Sequence, residues 1–223
     1  MVKVPVAGRV KTRLARRVGI GGALRFYRAT SASVIARLSR QPFWETHLAV
    51  APDADMPSRV FPRQVRRLGQ GHGDLGARMQ RPMLMLPPGP ICVIGTDIPD
   101  VRPEDVRRAF RALGRSAIVF GPAEDGGFWL VGQRRRPRLL EPYAAARWSA
   151  PDTLASVLVS LEGQDVAFTA RLSDVDVPDD LACQAHLIGR RVLPRRIVAG
   201  AAAILTQIGS EPMQQGVMHD EPA

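Results

Sequence analysis

Cysteines and long apolar runs are scarce in this sequence of 223 residues. The two cysteines, Cys92 and Cys183, are too few for a disulfide framework and lack the spacing of a metal site, which favours a reducing, cytoplasmic setting. The longest apolar run toward the end of the chain, residues 197–205, is too short to span a bilayer. No apolar segment of a signal peptide follows the basic first residues. We therefore expect a cytoplasmic protein without a membrane span.

Aromatic residues are also few, at 5% of the chain, and lysines are fewer still, since only two of the 31 basic residues are not arginine. The formal net charge of +10 permits two interpretations: an anionic partner, or a general compositional preference for arginine. The strong bias toward arginine favours the second interpretation. Because the arginine clusters lack interleaved aromatic side chains, we do not expect nucleic acid as a partner.

A basic loop near the start of the chain contains both lysines. It combines a glycine, a threonine able to cap the following helix, and four cations: Gly8, Thr12, Lys3, Arg9, Lys11 and Arg13. Backbone N–H groups, a helix N-terminus and clustered cations together make a site for an anion. Lysine is a compact point charge on a flexible stem, whereas arginine is a planar fork, so lysine here suits a moving phosphoryl group. Alternatively, two residues are few enough to fall together by chance.

Apolar runs alternate with helical patterns along the chain. Strands are predicted at 46–52, 65–68, 91–95, 117–122, 128–132 and 165–169. Helices are predicted at 21–38, 73–86, 102–113, 151–161 and 178–188, and Pro82 is expected to kink or interrupt the second of these. This alternation predicts an α/β three-layer sandwich with a mainly parallel sheet. We expect one domain over residues 1–189, followed by an extension, 190–223, that is partly helical and then disordered.

The first strand of this sheet is expected to be short. Only residues 1–4 precede the basic loop, although the first strand is usually central in such sheets. We hypothesise that Met1 is an internal residue of a longer strand. Mass spectrometry of the native protein would test this.

Carboxylates come shortly after three of the predicted strands, at Asp97, Asp125 and Asp176. Ligands of open α/β sheets bind outside the carboxyl ends of the strands, where carboxylates can hold Mg²⁺ or Mn²⁺ on a nucleotide phosphate. Asp97 and Asp176 are the candidate metal ligands, whereas Asp100 is interpreted as a helix cap. Simpler interpretations stay open: a β-turn around Asp125, and helix-start chemistry after Asp176.

Six segments, in this order, resemble the bacterial DUF2064 family, whose members are often named glycosyltransferase or rSAM/selenodomain-associated transferase 1. The segments are KVPVAGRVKTRL, GQGHGDLGARM, VIGTDIPDV, GPAEDGGFWLVG, RWS and DVDVPDDL, and the resemblance covers about residues 1–188. The family is similar to molybdenum-cofactor-type nucleotidyltransferases and to phospholactate guanylyltransferase, which implies the GT-A fold of nucleotide-diphospho-sugar transferases. After RWS, Ala150 stands where relatives tend to carry threonine.

The resemblance also implies roles for individual residues. Gly8, Lys11 and Arg13 would cradle the nucleotide phosphates, and Asp74 and Arg78 would flank the nucleotide. Together with Lys3, Arg9 and Thr12 of the basic loop, they are the nucleotide-binding candidates. Asp97 and Asp176 would bind the divalent metal, Mg²⁺ or Mn²⁺. Gly126 and Gly127 would shape the acceptor side, with Asp125 near the metal or the acceptor. The candidate catalytic residues are Lys11, Asp97 and Asp125.

Together these features predict a metal-dependent transferase that uses a nucleotide donor and a small acceptor. In nucleotidyl transfer, an acceptor attacks the α-phosphorus of an NTP, and the basic loop neutralises the leaving pyrophosphate, which favours this chemistry. In glycosyl transfer the donor is a nucleotide sugar, which the usual name of the family favours. A non-catalytic nucleotide- or RNA-binding module is a further alternative, and it would bind with a steep salt dependence and no metal requirement.

Overall fold

The computed structural model describes residues 1–173, and strands alternate with helices within them. The strands are β1 (Val2–Lys3), β2 (His47–Ala51), β3 (Arg66–Gly69), β4 (Ile91–Ile94), β5 (Ile118–Pro122), β6 (Phe128–Gln133) and β7 (Val166–Phe168). The helices are α1 (Thr12–Ser39), α2 (Leu75–Met85), α3 (Pro103–Ala112) and α4 (Thr153–Val159), with one turn of 3-10 helix at Asp53–Asp55. The predicted helix at 178–188, the extension at 190–223 and Asp176 lie outside the described residues.

The strands form two hydrogen-bonded sets. The first is parallel throughout, in the order β1-β2-β3. The second has the order β4-β6-β5-β7, in which β6 is antiparallel to both neighbours and β7 is parallel to β5. The antiparallel pairs arise because a short hairpin joins β5 to β6, and so short a connection cannot link parallel strands.

Strand β1 lies between β2 and β4 and is only two residues long. It pairs with Val50 and Ala51 of β2, while the Met1 ammonium donates to the Ile94 carbonyl of β4 at 2.6 Å. A cavity of about 510 Å³ lies between the first residues of β2 and those of β4. The hypothesis that Met1 belongs to a longer strand stays a prediction.

Helices cover both faces of the strands, which makes the three layers that the sequence predicts. Along β5, Ile118, Val119 and Phe120 are fully buried and point alternately to opposite faces. Val119 packs with Leu38 of α1 and with α3, whereas Ile118 and Phe120 pack with Met83 of α2 and with α4. Burying one such side chain stabilises the fold by about 1.5–3 kcal/mol. A continuous apolar run such as β5 therefore belongs in the middle layer.

The first and second helices differ from their predicted form. Helix α1 begins at Thr12 and is broken at Gly19, whose φ of 72° and ψ of 160° are not helical. Apolar residues at helical spacing begin only after this break, so the sequence predicts a helix that starts at residue 21. Helix α2 continues to Met85 through Pro82, so the proline does not interrupt it.

The interpretation of Asp100 as a helix cap is wrong. Helix α3 has Arg102 at its N-cap, and the carboxylate of Asp105 accepts the Arg102 backbone N–H at 2.9 Å. Asp100 lies two residues before that cap, and burial raises the pKa of its carboxyl group. Pro103 and Glu104 occupy the first turn as predicted.

Candidate active site

A cavity of about 760 Å³ opens at the carboxyl ends of β1, β4 and β5. Residues 9–13 of the basic loop form one wall, and residues 93–98 form the floor. The hairpin between β5 and β6 and the segment 148–153 form the opposite wall. Open α/β sheets bind their ligands in such crevices, and the volume is typical of small-molecule sites.

Two of the three predicted catalytic residues form an ion pair in this cavity. The Nζ atom of Lys11 lies 3.0 Å from Oδ2 of Asp97. The Lys11 side chain is 5% exposed, and that of Asp97 is 37% exposed. A buried ammonium is costly without compensating charge, so Asp97 fixes the position of Lys11. The exposed part of the carboxylate remains accessible from the cavity.

The backbone of Lys11 has an unusual conformation. Its φ of 47° and ψ of 48° are left-handed, and this costs a residue other than glycine about 1–2 kcal/mol. Lys11 occupies the N-cap of α1 without a side-chain cap, and Thr12 is the first helical residue, so the expectation that Thr12 caps this helix is wrong. The N-terminus of α1 thus lies at the cavity, where its N–H groups favour an anion.

The cavity lining has an excess of positive charge. Among the described residues it contains five cationic side chains and two carboxylates. Lys3, Arg9 and Arg13 line it together with Lys11, and their role in phosphate binding stays a prediction. Gly8 does not line it, but its φ of +72° allows the turn in which the Arg9 N–H donates to the Val6 carbonyl at 3.1 Å. An anionic ligand is favoured here.

Two residues that the sequence analysis missed hold the Asp97 loop. The guanidinium of Arg37 on α1 donates to the Pro99 carbonyl at 2.9 Å and to the Val101 carbonyl at 2.6 Å. A Cβ at Gly95 would lie 2.7 Å from Oδ1 of Asp97, so glycine is needed for the carboxylate to lie over the end of β4. No sequence pattern distinguishes Arg37 from the other arginines of α1.

Tyr27 holds the end of β1 in the same way. Its hydroxyl accepts the backbone N–H of Lys3 at 3.0 Å and donates to the Lys3 carbonyl at 3.3 Å. Burial raises the pKa of Tyr27, which keeps the hydroxyl able to donate. Tyr27 also lines the cavity, a role that its place in the predicted helix at 21–38 does not reveal.

The opposite wall is partly aromatic. Phe128 and Trp148 line the cavity with their ring centres 6.4 Å apart. The indole N–H of Trp148 donates to Oδ2 of Asp74 at 3.0 Å. The other oxygen of Asp74 caps α2 by accepting the Ala77 N–H at 2.8 Å, and these hydrogen bonds lower the pKa of the carboxyl group. The aspartate therefore orients the tryptophan.

The β5–β6 hairpin lies against the segment that carries Trp148. Oδ1 of Asp125 accepts the Gly127 N–H at 2.9 Å, which confirms the turn at this Asp-Gly sequence. A Cβ at Gly126 would lie 1.7 Å from the Pro151 carbonyl oxygen, so only glycine allows this approach. Asp125 and Gly127 line the cavity, whereas Gly126 supports its wall.

The predicted site residues thus fall into three groups. Those that line the cavity are Lys3, Arg9, Lys11, Thr12, Arg13, Arg78, Asp97, Asp125 and Gly127. Gly8, Asp74 and Gly126 lie in the adjoining turns and do not line it. Asp176 lies outside the described residues.

A divalent metal is compatible with the carboxylates present. Residues 1–173 contain no group of three or more histidine, cysteine, aspartate or glutamate side chains arranged to hold one. Mg²⁺, however, is commonly held by one or two carboxylates together with substrate phosphates and waters. The partly exposed carboxylate of Asp97 beside a cationic wall fits a metal that arrives with a nucleotide phosphate.

The sandwich and the cavity at its strand ends define a GT-A-like fold of the nucleotide-diphospho-sugar transferase class. The chain belongs to the DUF2064 family, described as an uncharacterized protein conserved in bacteria, whose family model matches residues 34–150. Within residues 1–173, none of the helices has both the length and the apolar character needed to cross a bilayer.

A solved structure from Desulfovibrio desulfuricans G20 is similar over most of both chains. That protein has a provisional assignment as a nucleotide-diphospho-sugar transferase. It is 27% identical, with a TM-score of 0.80, and the match covers 92% of this chain and 94% of that one. The comparison with curated proteins gives no match.

Proposed function

We propose that this protein is a transferase whose donor is a nucleotide sugar, with the donor diphosphate bound between the basic loop and Asp97. The observation that carries the proposal is the Lys11–Asp97 pair inside a cation-lined cavity at the strand ends. The similarity to the D. desulfuricans protein supports the class of donor. The acceptor would enter from the wall formed by Phe128 and Trp148.

In this reaction an acceptor hydroxyl attacks the anomeric carbon of the sugar. The bond between that carbon and the diphosphate oxygen breaks, and a nucleoside diphosphate leaves. Lys11 and Arg13 would stabilise the negative charge on this leaving group from one side. Asp125 lines the cavity and uses only Oδ1 in the turn, and in this proposal its other carboxylate oxygen would take the acceptor proton.

Mg²⁺ or Mn²⁺, held by Asp97 and by Asp176 outside the described residues, would supply further charge neutralisation at the diphosphate. Lys11 has a separate role in this proposal. It holds the Asp97 carboxylate in position, because its ammonium lies 3.0 Å from Oδ2 of that side chain.

Nucleotidyl transfer from an NTP is the second candidate, and the basic loop favours it. In this reaction an acceptor oxygen attacks the α-phosphorus and pyrophosphate leaves. A leaving pyrophosphate carries more negative charge than a nucleoside diphosphate does, and the cavity lining has an excess of cations to meet it. Both candidates use the same wall of the cavity.

Thermal stability against a ligand panel is the first test. The panel contains NTPs and nucleotide sugars, each with and without Mg²⁺ or Mn²⁺. A ligand at 100 times its dissociation constant adds about 2.7 kcal/mol of stability, which is readily measured. A metal-dependent shift with a nucleotide sugar supports the proposal. A shift with an NTP alone favours the second candidate, and no metal-dependent shift with any ligand contradicts both.

The released product then separates the two chemistries. Glycosyl transfer releases a nucleoside diphosphate, whereas nucleotidyl transfer releases pyrophosphate. Lys11→Met and Asp97→Asn should each abolish the release, while Lys11→Arg tests whether a point charge is needed. Binding that weakens steeply with salt, needs no metal and gives no product would instead indicate a binding module.

A further inference from the structure

The entire net charge of the protein resides in its first 44 residues. Ten basic residues precede Glu45, which is the first acidic residue of the sequence. The rest of the chain has 21 basic residues (31 minus 10) and 21 acidic ones, so it is formally neutral. A general preference for arginine does not explain this segregation, because acidic residues balance the arginines of the remaining chain.

Much of this charge lies on the exposed surface of α1. Arg13, Arg16 and Arg17 are exposed and share one face of the helix before Gly19. Arg25 and Arg28 are exposed in the part of α1 that follows. Helix α1 contains no acidic residue, and within residues 1–173 none of these five arginines forms an ion pair with a carboxylate. We call these five arginines, together with the exposed Ile20 that lies between them in the sequence, the basic surface.

An exposed aliphatic side chain accompanies the arginines. Ile20 follows the break at Gly19 and is 56% exposed, within four residues of Arg16 and Arg17. The two aromatic side chains of α1, Phe26 and Tyr27, are buried. Bases of a nucleic acid would therefore find no stacking platform here, whereas exposed arginines with an exposed aliphatic residue near them in the sequence suit the headgroups and the interface of an anionic bilayer.

We propose that the basic surface docks on an anionic phospholipid bilayer, which the protein contacts without spanning it. Arg13 belongs both to this surface and to the lining of the active-site cavity. Docking would therefore place the cavity mouth close to the lipid headgroups. The proposal does not depend on the transferase reaction, because it concerns binding alone.

Sedimentation with lipid vesicles tests the proposal directly. The full chain is mixed with vesicles of phosphatidylcholine alone, or with about one third phosphatidylserine, at low and at physiological salt. We expect partitioning onto the anionic vesicles, weakened by salt, and little onto the neutral ones. Equal partitioning onto both kinds of vesicle, or none onto either, overturns the proposal.

Matched charge-removing variants locate the contact. One arginine near an anionic bilayer raises partitioning about fivefold, so Arg16→Gln with Arg17→Gln should lower it about 25-fold. The control removes two exposed charges from α3 and the turn that follows it, through Arg111→Gln and Arg115→Gln, and partitioning should change little. An equal loss in both double variants would indicate a general charge effect and contradict the assigned surface.

The aliphatic residue distinguishes a bilayer from another polyanion. Ile20→Ser should lower partitioning onto anionic vesicles by several-fold, because the side chain no longer enters the interface. Binding to a single-stranded oligonucleotide at the same ionic strength should not change. If the oligonucleotide binds more tightly than the vesicles do and Ile20→Ser changes neither, the surface serves nucleic acid and the proposal is wrong.

Discussion

The ammonium of Lys11 and the carboxylate of Asp97 lie 3.0 Å apart, although 86 residues separate them in the sequence. The pair joins the basic loop at the start of α1 to the loop that follows β4. A group that binds at Asp97 therefore also lies within reach of the Lys11 ammonium. The cation and the carboxylate that the sequence analysis assigned to phosphate and metal form one unit.

The first prediction concerns the energy of this pair. In a double-mutant cycle with Lys11→Met and Asp97→Asn, we expect a coupling free energy of about 1 kcal/mol or more, because the ammonium is buried. Chemical denaturation of the four proteins measures it. The matched control is Arg66 with Glu45, a pair at 3.3 Å whose side chains are 76% and 60% exposed.

The control cycle, with Arg66→Met and Glu45→Gln, should give no more than about 0.5 kcal/mol, because exposed ion pairs are weak. Equal coupling in the two cycles would mean that burial does not strengthen the Lys11–Asp97 pair. It would also remove the physical reason for treating the two residues as one unit.

The second prediction concerns Asp74, which caps α2 and holds Trp148. Asp74→Ala should destabilise the fold by about 1 kcal/mol at neutral pH, as the loss of an N-cap does. Folding lowers the pKa of this carboxyl group, so its contribution is complete above the unfolded pKa and disappears as pH falls through the folded pKa. The difference in unfolding free energy between the native and Ala proteins should therefore narrow as the pH falls below about 4, where the contribution of the ionised carboxylate is lost.

Asp74→Asn is the control for that experiment. Asparagine also caps helices well and has an oxygen that can accept the Trp148 N–H, so the loss of stability at neutral pH should be smaller. Asparagine does not titrate, so the unfolding free energy of Asp74→Asn should not contain the loss that ionisable Asp74 causes as the pH falls. An Ala variant that stays equally destabilised throughout the acid range would contradict the role given to the ionised carboxylate.

The alternation of buried runs and helices was sufficient to predict the three layers and most of the elements after Thr46. A strand that is apolar on both faces, such as 117–122, must be buried by other elements on each side of the sheet. This requirement predicts a layer of helices on both faces. The direction of the strands was harder to predict from the sequence. The Asp-Gly turn did indicate a hairpin, but the mainly parallel expectation took no account of the antiparallel β6 that follows from it.

Sequence reasoning could place Lys11 and Asp97 at strand ends, but it could not pair them. Their contact depends on tertiary packing, and so do the carbonyl contacts of Arg37 and the hydroxyl contacts of Tyr27. Helix α1 was predicted to begin too late because the arginine-rich turn before Gly19 has no apolar period. Asp100 is not the cap because the backbone is still extended at Arg102, and the carboxylate that accepts at the start of the helix is that of Asp105 in the first turn.

The third prediction concerns Arg37, which positions the Asp97 loop without lining the cavity. Lysine is shorter than arginine and lacks the planar fork. In Arg37→Lys, one ammonium therefore cannot replace both Nη1, which donates to the Pro99 and Val101 carbonyls, and Nη2, which donates to Oγ of Ser33. If the protein is a transferase, we expect turnover to fall about 10- to 100-fold, because small displacements of reacting groups are costly. Steady-state kinetics and the metal-dependent thermal shift measure the effect.

The matched control for Arg37 is Arg40→Lys in the exposed residue that follows α1, and it should leave turnover unchanged. Arg37→Lys should also weaken the dependence of turnover on metal concentration, which a purely structural defect would not do. Full turnover with unchanged metal dependence in Arg37→Lys would show that these two hydrogen bonds do not position Asp97.

The fourth prediction compares two glycines that share a backbone conformation but differ in their surroundings. Gly8 has a φ of +72°, and a Cβ added there would meet nothing within 4 Å, whereas Gly126 has a φ of +84° and its Cβ would lie 1.7 Å from the Pro151 carbonyl oxygen. Alanine at either position adopts a left-handed backbone at a cost of about 1–2 kcal/mol. Gly126→Ala must in addition push the hairpin away from the segment that carries Trp148, so it should be clearly the more destabilising variant in chemical denaturation. Trp148 fluorescence in the folded state should change only in Gly126→Ala. Equal destabilisation by the two substitutions would show that the hairpin and this wall are not in close contact.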